Sequence, residues 1–172
     1  NPQGTLLNGG DGFLYGTTFS GGSNNSGTIF RINTNGSFNT VAFFVGTNGY
    51  QPLGGLVRGP DGAFYGAGYG NFSSSRLVYR VTTNGILTSF FQFPGNYGTT
   101  DFGSPVVGPD GNLYLALYDG GISGGGLLFR LNTNGVSAVV STFTLGTGLQ
   151  PFATPIFGAD GNLYGTTYIY GP

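Results

Sequence analysis

Histidine, cysteine, methionine, tryptophan, lysine and glutamate are all missing from this sequence of 172 residues. Without cysteine there are no disulfides and no thiolate metal sites, and cysteine usage assigns no compartment. Without His, Cys, Lys or Glu, a Ser or Thr nucleophile lacks its common activating bases, so the expectation is a protein with no catalytic machinery. Charged residues make up 6% of the chain, against about 25% in an average soluble domain. The five basic residues are all Arg, the six acidic ones all Asp, and the net charge is -1. That charge offers no electrostatic case for nucleic acid or an anionic membrane. No apolar run approaches the roughly 20 residues that span a bilayer, so no membrane insertion is expected. No initiator Met, signal peptide or anchor stands at either end, and the sequence reads as though cut from something longer.

What is present is glycine and aromatics: 36 Gly, 16 Phe and 11 Tyr, within a hydrophobic content of 38%. The glycine alone would suit disorder; the aromatics argue for packing. Their arrangement is periodic. Asp61-Gly62-Ala63-Phe64-Tyr65-Gly66 has counterparts beginning at Asp11, Asp110 and Asp160, so the Asp positions lie 50, 49 and 50 residues apart. This divides residues 1–172 into a single repeat domain or fragment, with repeats at 1–50, 51–99 and 100–149 and a partial one at 150–172. A period of this size belongs to propeller blades and related arrays.

Each repeat reads as four short segments. The first is Gly4-Thr5-Leu6-Leu7 and its counterparts, and Pro105 and Pro155 at equivalent positions mark it as an edge strand. A turn such as Gly59-Pro60-Asp61-Gly62 follows, in which Pro presets one dihedral, Asp bonds the backbone two residues on and Gly accepts positive φ. The second strand carries Phe64-Tyr65 or Leu163-Tyr164. A variable loop leads to the third strand, Thr28-Ile29-Phe30-Arg31-Ile32 with counterparts Leu77–Val81 and Leu127–Leu131. An Asn-Gly hairpin signal at Asn35-Gly36, Asn84-Gly85 and Asn134-Gly135 introduces the fourth, at Ser37–Val45, Ile86–Phe93 and Val136–Leu145. No stretch has helical periodicity with caps. The expected fold is all-β, a propeller-like array of four-stranded antiparallel blades.

The pattern Asp-Gly-x-[Phe/Leu]-Tyr-Gly-Thr-Thr, then Gly-Gly, Gly-Thr-Ile-Phe-Arg-Ile and Asn-Gly resembles the GloVer-type tandem repeat of bacterial surface and secreted proteins. Residues 11–36 match it best, and the third repeat departs from it with Leu115-Ala116-Leu117. The resemblance implies a propeller-like, secreted or surface-attached repeat protein with no enzymatic activity and no catalytic residues.

Propellers usually have about four to eight blades, and three and a half repeats do not close one. The fourth repeat supplies two inner strands and lacks the two outer ones, and two identical copies would each bring the same inner half. Three arrangements fit: a piece of a longer array, a subunit whose open edges neighbours complete as a ring or filament, or an open solenoid-like stack. The expected partners are therefore other copies of the chain or the remaining repeats of a longer parent.

Seven of the eleven charged residues are locked to the repeat: Asp11, Asp61, Asp110 and Asp160 at the turn, Arg31, Arg80 and Arg130 on the third strand. One Asp per repeat is spread out, whereas a catalytic pair must converge, and calcium loops supply several oxygen side chains within a few residues. The Asp are thus expected as turn formers, with the Arg of the same or the adjacent blade as available partners, and no metal or cofactor is expected. The aligned Tyr15, Tyr65, Tyr114 and Tyr164 are expected in inter-blade packing rather than a stacking platform. The variable loops are where binding would sit. Asn24, Asn25, Tyr69, Asn71, Phe72, Tyr118 and Asp119 lie in or beside them, and their amides, carboxylate and aromatic rings suit glycans; solvated linker loops are the plainer reading. Asn24-Asn25-Ser26, Asn35-Gly36-Ser37 and Asn71-Phe72-Ser73 match the glycosylation triplet, which arises readily by chance in such a chain.

Two readings of function follow. The first is a non-catalytic extracellular repeat module with a structural, adhesive or assembly role; few Arg and no Lys also leave few cleavage points for common proteases. The second is a lectin-like module that binds through the loops between second and third strands.

Overall fold

A computed structural model of the chain describes residues 1–2, 4–70, 75–97, 103–121 and 123–171. It is all-β apart from a short 3-10 turn at Gly95–Tyr97. No helix among the described residues is long and apolar enough to cross a membrane. The fold divides into two compact units, Asn1–Gln92 and Phe93–Pro172.

The first unit holds two sheets. One is an antiparallel meander of β1 (Leu7–Asn8), β2 (Leu14–Thr18), β3 (Thr28–Ile32) and β4 (Phe38–Phe43), in that order. The next has β5 (Tyr50–Pro52), β6 (Val57–Arg58), β7 (Phe64–Tyr69), β8 (Arg76–Val81) and β9 (Leu87–Gln92), with β5 and β6 both paired to β7. The second unit repeats the meander in β10 (Val106–Val107), β11 (Leu113–Leu117), β12 (Leu127–Leu131) and β13 (Ser137–Thr142). Its remaining strands, β14 (Leu149–Pro151), β15 (Ile156–Phe157), β16 (Leu163–Tyr164) and β17 (Thr167–Ile169), form two-stranded pairs β14·β17 and β15·β16. No sheet closes on itself.

The second, third and fourth strands fall where the sequence places them, within two or three residues at their ends. The first does not. Its ladder covers two residues, β1, β6, β10 and β15, at the end of each expected segment. In the second repeat the second strand's other half pairs with β5, upstream of that segment (Tyr50↔Tyr69). The break has a steric cause. A Cβ on Gly4 would lie 2.2 Å from the Gly55 nitrogen, and one on Gly103 would lie 2.8 Å from the Thr154 nitrogen. Inner segments of successive repeats therefore meet backbone against backbone and leave their own ladders to do so. Gln51 and Gln150 make the turn in the left-handed region, with φ of 47° and 59°. Their amides donate to Ser26 and Gly125 carbonyls of the preceding repeat, each at 2.7 Å.

Alternation along the strands builds the core. In the first unit Tyr15, Ile29, Ala42 and Phe44 of one sheet face Leu56, Phe64, Leu77, Tyr79 and Val81 of the next, all buried. Two ring pairs lock this layer: Tyr15 to Phe64 at 4.5 Å and Phe44 to Tyr79 at 4.9 Å, edge-on. In the second unit Leu113, Leu115, Leu117, Leu127, Phe129 and Leu131 are buried, and Phe93 meets Phe129 edge-on at 4.9 Å. Every outer ladder also skips one fourth-strand residue, Val41, Phe90 or Val140, just before the third-strand aromatic. Such bulges raise the local twist.

Tyr79 is fully buried and its hydroxyl has no hydrogen-bond partner, and burial pushes that hydroxyl's pKa up. Phe30 and Phe129 occupy the same place in neighbouring repeats without a hydroxyl. Removing an unsatisfied buried hydroxyl recovers its desolvation cost. Tyr79→Phe is therefore expected to stabilise the fold by about 1 kcal/mol, read as a rise of about 2–4 °C in melting temperature.

Candidate functional site

The repeated Asp is bound inside its own turn. Its Oδ1 accepts the amide two residues on, at 3.1 Å for Asp11, 3.3 Å for Asp61, 3.1 Å for Asp110 and 3.0 Å for Asp160. Its Oδ2 accepts the hydroxyl of the tyrosine four residues on: Tyr15 at 2.7 Å, Tyr65 at 2.9 Å, Tyr114 at 2.9 Å and Tyr164 at 2.7 Å. All four tyrosines close their turns. Tyr15 and Tyr114 also pack on Phe64 and Phe157 of the next sheet, whereas Tyr65 meets Phe90 of its own sheet. Tyr164, expected in inter-blade packing, is 52% exposed. In the second repeat Arg80 joins them, donating from Nε and Nη2 to Asp61 at 2.9 and 2.8 Å. Elsewhere the arginines diverge: the Arg31 guanidinium lies over the Phe13 ring at 4.5 Å, and Arg58 donates to the Gly9 carbonyl of the preceding repeat at 3.1 Å.

The turn demands two glycines for different reasons. Gly12, Gly62, Gly111 and Gly161 take φ of 76–86°, and Gly12, Gly62 and Gly161 have open space where a Cβ would stand. Gly9, Gly59, Gly108 and Gly158 instead lie under the tyrosine, where a Cβ would sit 2.3–2.7 Å from a ring carbon. The working motif is thus Gly-x-Asp-Gly-x-[Phe/Leu]-Tyr, whose first glycine is required by the ring above it and by no turn dihedral.

These bonds set the carboxyl pKa values. The Tyr15 hydroxyl holds Asp11 below the usual carboxylate range. Burial pushes Asp61 and Asp110 up, but hydrogen bonds from Arg80 and Tyr65, and from Asn112 and Tyr114, outweigh it and both are held low. Asp160 is lowered by Tyr164. Burial and the Asp61 hydrogen bond push Tyr65 up to about 12. Among the described residues no three His, Cys, Asp or Glu gather as a metal site.

The loop residues fall into both units. In the first, Asn24 and Asn25 are exposed; Asn25 sits at φ 52° and accepts the Gly21 amide at 3.0 Å. Tyr69 is occupied on its faces: it stacks on Tyr50 at 5.5 Å, and the Arg76 guanidinium lies over its ring at 3.9 Å. Asn71 and Phe72 lie outside the described residues. In the second unit Tyr118 donates to Gln150 Oε1 at 2.9 Å and meets Phe152 edge-on at 6.0 Å; Asp119 follows it, half-buried. Tyr118, Phe152 and Tyr168 line a cleft of about 300 Å³, with Phe152 65% and Tyr168 71% exposed. Phe152 and Tyr168 escaped the sequence reading. For Tyr168 the signal was available, since Phe19, Tyr69, Tyr118 and Tyr168 each stand eight residues after the repeated Asp.

Two outcomes follow from the turn. Gly59→Ala should drive a methyl into Tyr65 and lower stability by about 2 kcal/mol, the usual range for overpacking, measured by denaturant titration. The pH dependence is bounded on both sides. Folded carboxyls that stay charged to lower pH contribute stability that is complete above about pH 4 and is lost as pH falls through their lowered values. Tyr65, raised to about 12, contributes stability that is complete below about pH 10 and is lost as pH rises toward its folded value. With no His or Cys in the sequence, no side chain titrates between. The melting temperature is expected to hold level from about pH 5 to pH 9 and to fall on either side, as thermal scans across pH will read.

No curated protein matches the sequence. Among solved structures, one described as a streptogramin B lyase structure is similar at TM-score 0.60 and 18% identity, over 98% of this chain and 55% of that one. The chain thus spans about half the length of that protein, which is β-propeller-like, and at this identity the likeness concerns the fold alone. The family described as the Gloeobacter/Verrucomicrobia repeat matches residues 1–172 throughout. The spacing of the Asp-Gly turns, the blade-like sheets and this match agree: the chain belongs to the Gloeobacter/Verrucomicrobia repeat family.

Proposed function

We propose that the chain is a non-catalytic repeat module of a secreted or surface-attached bacterial protein, whose role is structural: it builds an array and joins other copies or further repeats, in an adhesive or filament-forming assembly. The observation that supports this reading is the inter-sheet layer of the first unit, where the face of the first sheet is covered by the sheet of the next repeat. The repeat-locked carboxylates support it too, because each is bound to its own tyrosine and backbone. Purified chain examined by light scattering and negative-stain microscopy should give multimers or filaments. A monodisperse monomer that binds one defined ligand would sink the structural role.

The aromatic cleft of Tyr118, Phe152 and Tyr168 favours a second reading, glycan recognition, in which sugar rings stack on aromatic faces and hydroxyls meet nearby polar groups. A glycan array should then give at least one hit, lost in the Tyr118→Ala and Tyr168→Ala chains. An array blank for the wild type ends it.

A further inference from the structure

A polar groove of about 270 Å³ lies within the first unit, lined by Arg31, Asn39, Thr40, Val41, Thr83 and Asn84. Its walls come from successive repeats, β3 and β4 on one side and the turn between β8 and β9 on the other. Three consecutive residues of β4 border it, although a regular strand turns neighbours to opposite faces. The bulge that leaves Val41 out of the ladder allows this. The facing turn is held at close range: Gly85 takes φ of 88°, and a Cβ there would stand 2.6 Å from the Val41 carbonyl oxygen. The Thr82 hydroxyl donates to Asn84 Oδ1, so the NH2 of that amide remains to donate elsewhere.

The one charge in the lining is Arg31, and comparison between repeats shows why it is available. Arg80, its equivalent in the second repeat, is taken by Asp61 through Nε and Nη2 at 2.9 and 2.8 Å. The Asp61 turn has Ala63 where the Asp11 turn has Phe13, and the Arg31 guanidinium lies over the Phe13 ring at 4.5 Å. Asp11 is satisfied by the Phe13 amide and the Tyr15 hydroxyl, and the charge of Arg31 is the least of the influences on it. A ring beneath a guanidinium does not use up its N–H fork.

We propose that this groove binds a single hexuronate unit, a sugar ring bearing one carboxylate. The carboxylate pairs with the N–H fork of Arg31, and the ring hydroxyls bond Asn39, Thr40, Thr83 and Asn84. One cation matches one carboxylate and not a polyphosphate. Hydroxyls and amides on both walls suit a polyhydroxylated ring and give an apolar ligand little to cover. The volume admits one sugar ring and exceeds what acetate or phosphate would fill. The site shares no residue with the aromatic cleft of Tyr118 and goes beyond both readings above.

Isothermal titration calorimetry of the whole 172-residue chain with D-galacturonate is the test. One saturable site is expected, with D-galactose and the methyl ester of galacturonate each weaker by about tenfold or more, the loss of one charged hydrogen-bonded pair. Arg31→Ala should abolish binding, and Arg31→Lys, which keeps the charge without the fork, should weaken it. Phe13→Ala recreates the turn of the second repeat, so Arg31 should fold onto Asp11 and affinity should fall about tenfold. Phe13 also packs at the edge of the core, so the exposed position Asn39 supplies a variant that folding does not cloud. Asn39→Ala should keep the circular dichroism of the parent and cost about threefold in affinity. Trigalacturonate identifies the source: affinity at or above that of the monomer supports a unit of an acidic polysaccharide, and lower affinity supports the free sugar acid. No binding of galacturonate, equal binding of galactose, or full affinity in the Arg31→Ala chain overturns the proposal. Acetate bound as tightly as galacturonate also overturns it, since the groove then takes a bare anion.

Discussion

One carboxylate in each repeat ties together pieces of chain that would otherwise part. Asp61 accepts the Ala63 amide through one oxygen and Tyr65 and Arg80 through the other. The turn, the second strand and the third strand are thereby fixed to a single point. The ion pair is close to the surface, with side chains 29% and 27% exposed, and by itself adds less than about 1 kcal/mol. The Tyr65 hydroxyl matters more, because it aims a fully buried ring. Once aimed, that ring meets Phe90 of its own sheet edge-on at 5.2 Å, as the Tyr15 ring meets Phe64 of the next sheet at 4.5 Å. The turn chemistry therefore decides the inter-sheet packing.

That dependence explains why a chain so poor in charge holds its register. A one-residue slip in a strand moves every side chain to the wrong face, and here it would also separate each tyrosine from its aspartate. Arg31 and Arg130 lack the bidentate arrangement of Arg80, yet Tyr15 and Tyr114 keep their bonds to Asp11 and Asp110. The tyrosine bond is common to all four repeats and the arginine bond is not, so the former carries the register and the latter reinforces it.

The sequence made the second, third and fourth strands legible because their signals are local: Asp-Gly and Asn-Gly turns bounding runs of alternating side chains. The inner strand was not legible for a physical reason. Its path is set by the neighbouring repeat, through Gly4 against Gly55, 51 residues apart, and Gln51 against Ser26, 25 residues apart. The same holds for Gly9 and its counterparts, whose constraint comes from a ring overhead and not from a dihedral. Among the loop residues, Tyr69 looked open in sequence and is held between Tyr50 and Arg76. Tyr118 kept a place beside a cleft, but the two rings that complete it, Phe152 and Tyr168, come from beyond its own loop.

Where, then, is chemistry left for recognition? Four of the six aspartates are engaged in turns, and Arg58, Arg76 and Arg80 contact backbone, ring or carboxylate. Among the described residues, exposed rings such as Phe152 and Tyr168 and an apolar cleft remain uncovered. Recognition through such features is short-ranged and depends on shape and hydrogen-bond register, with little electrostatic steering and correspondingly slight sensitivity to salt. Asp160 keeps its bond from Tyr164, while its counterpart Asp61 in the second repeat also meets an arginine.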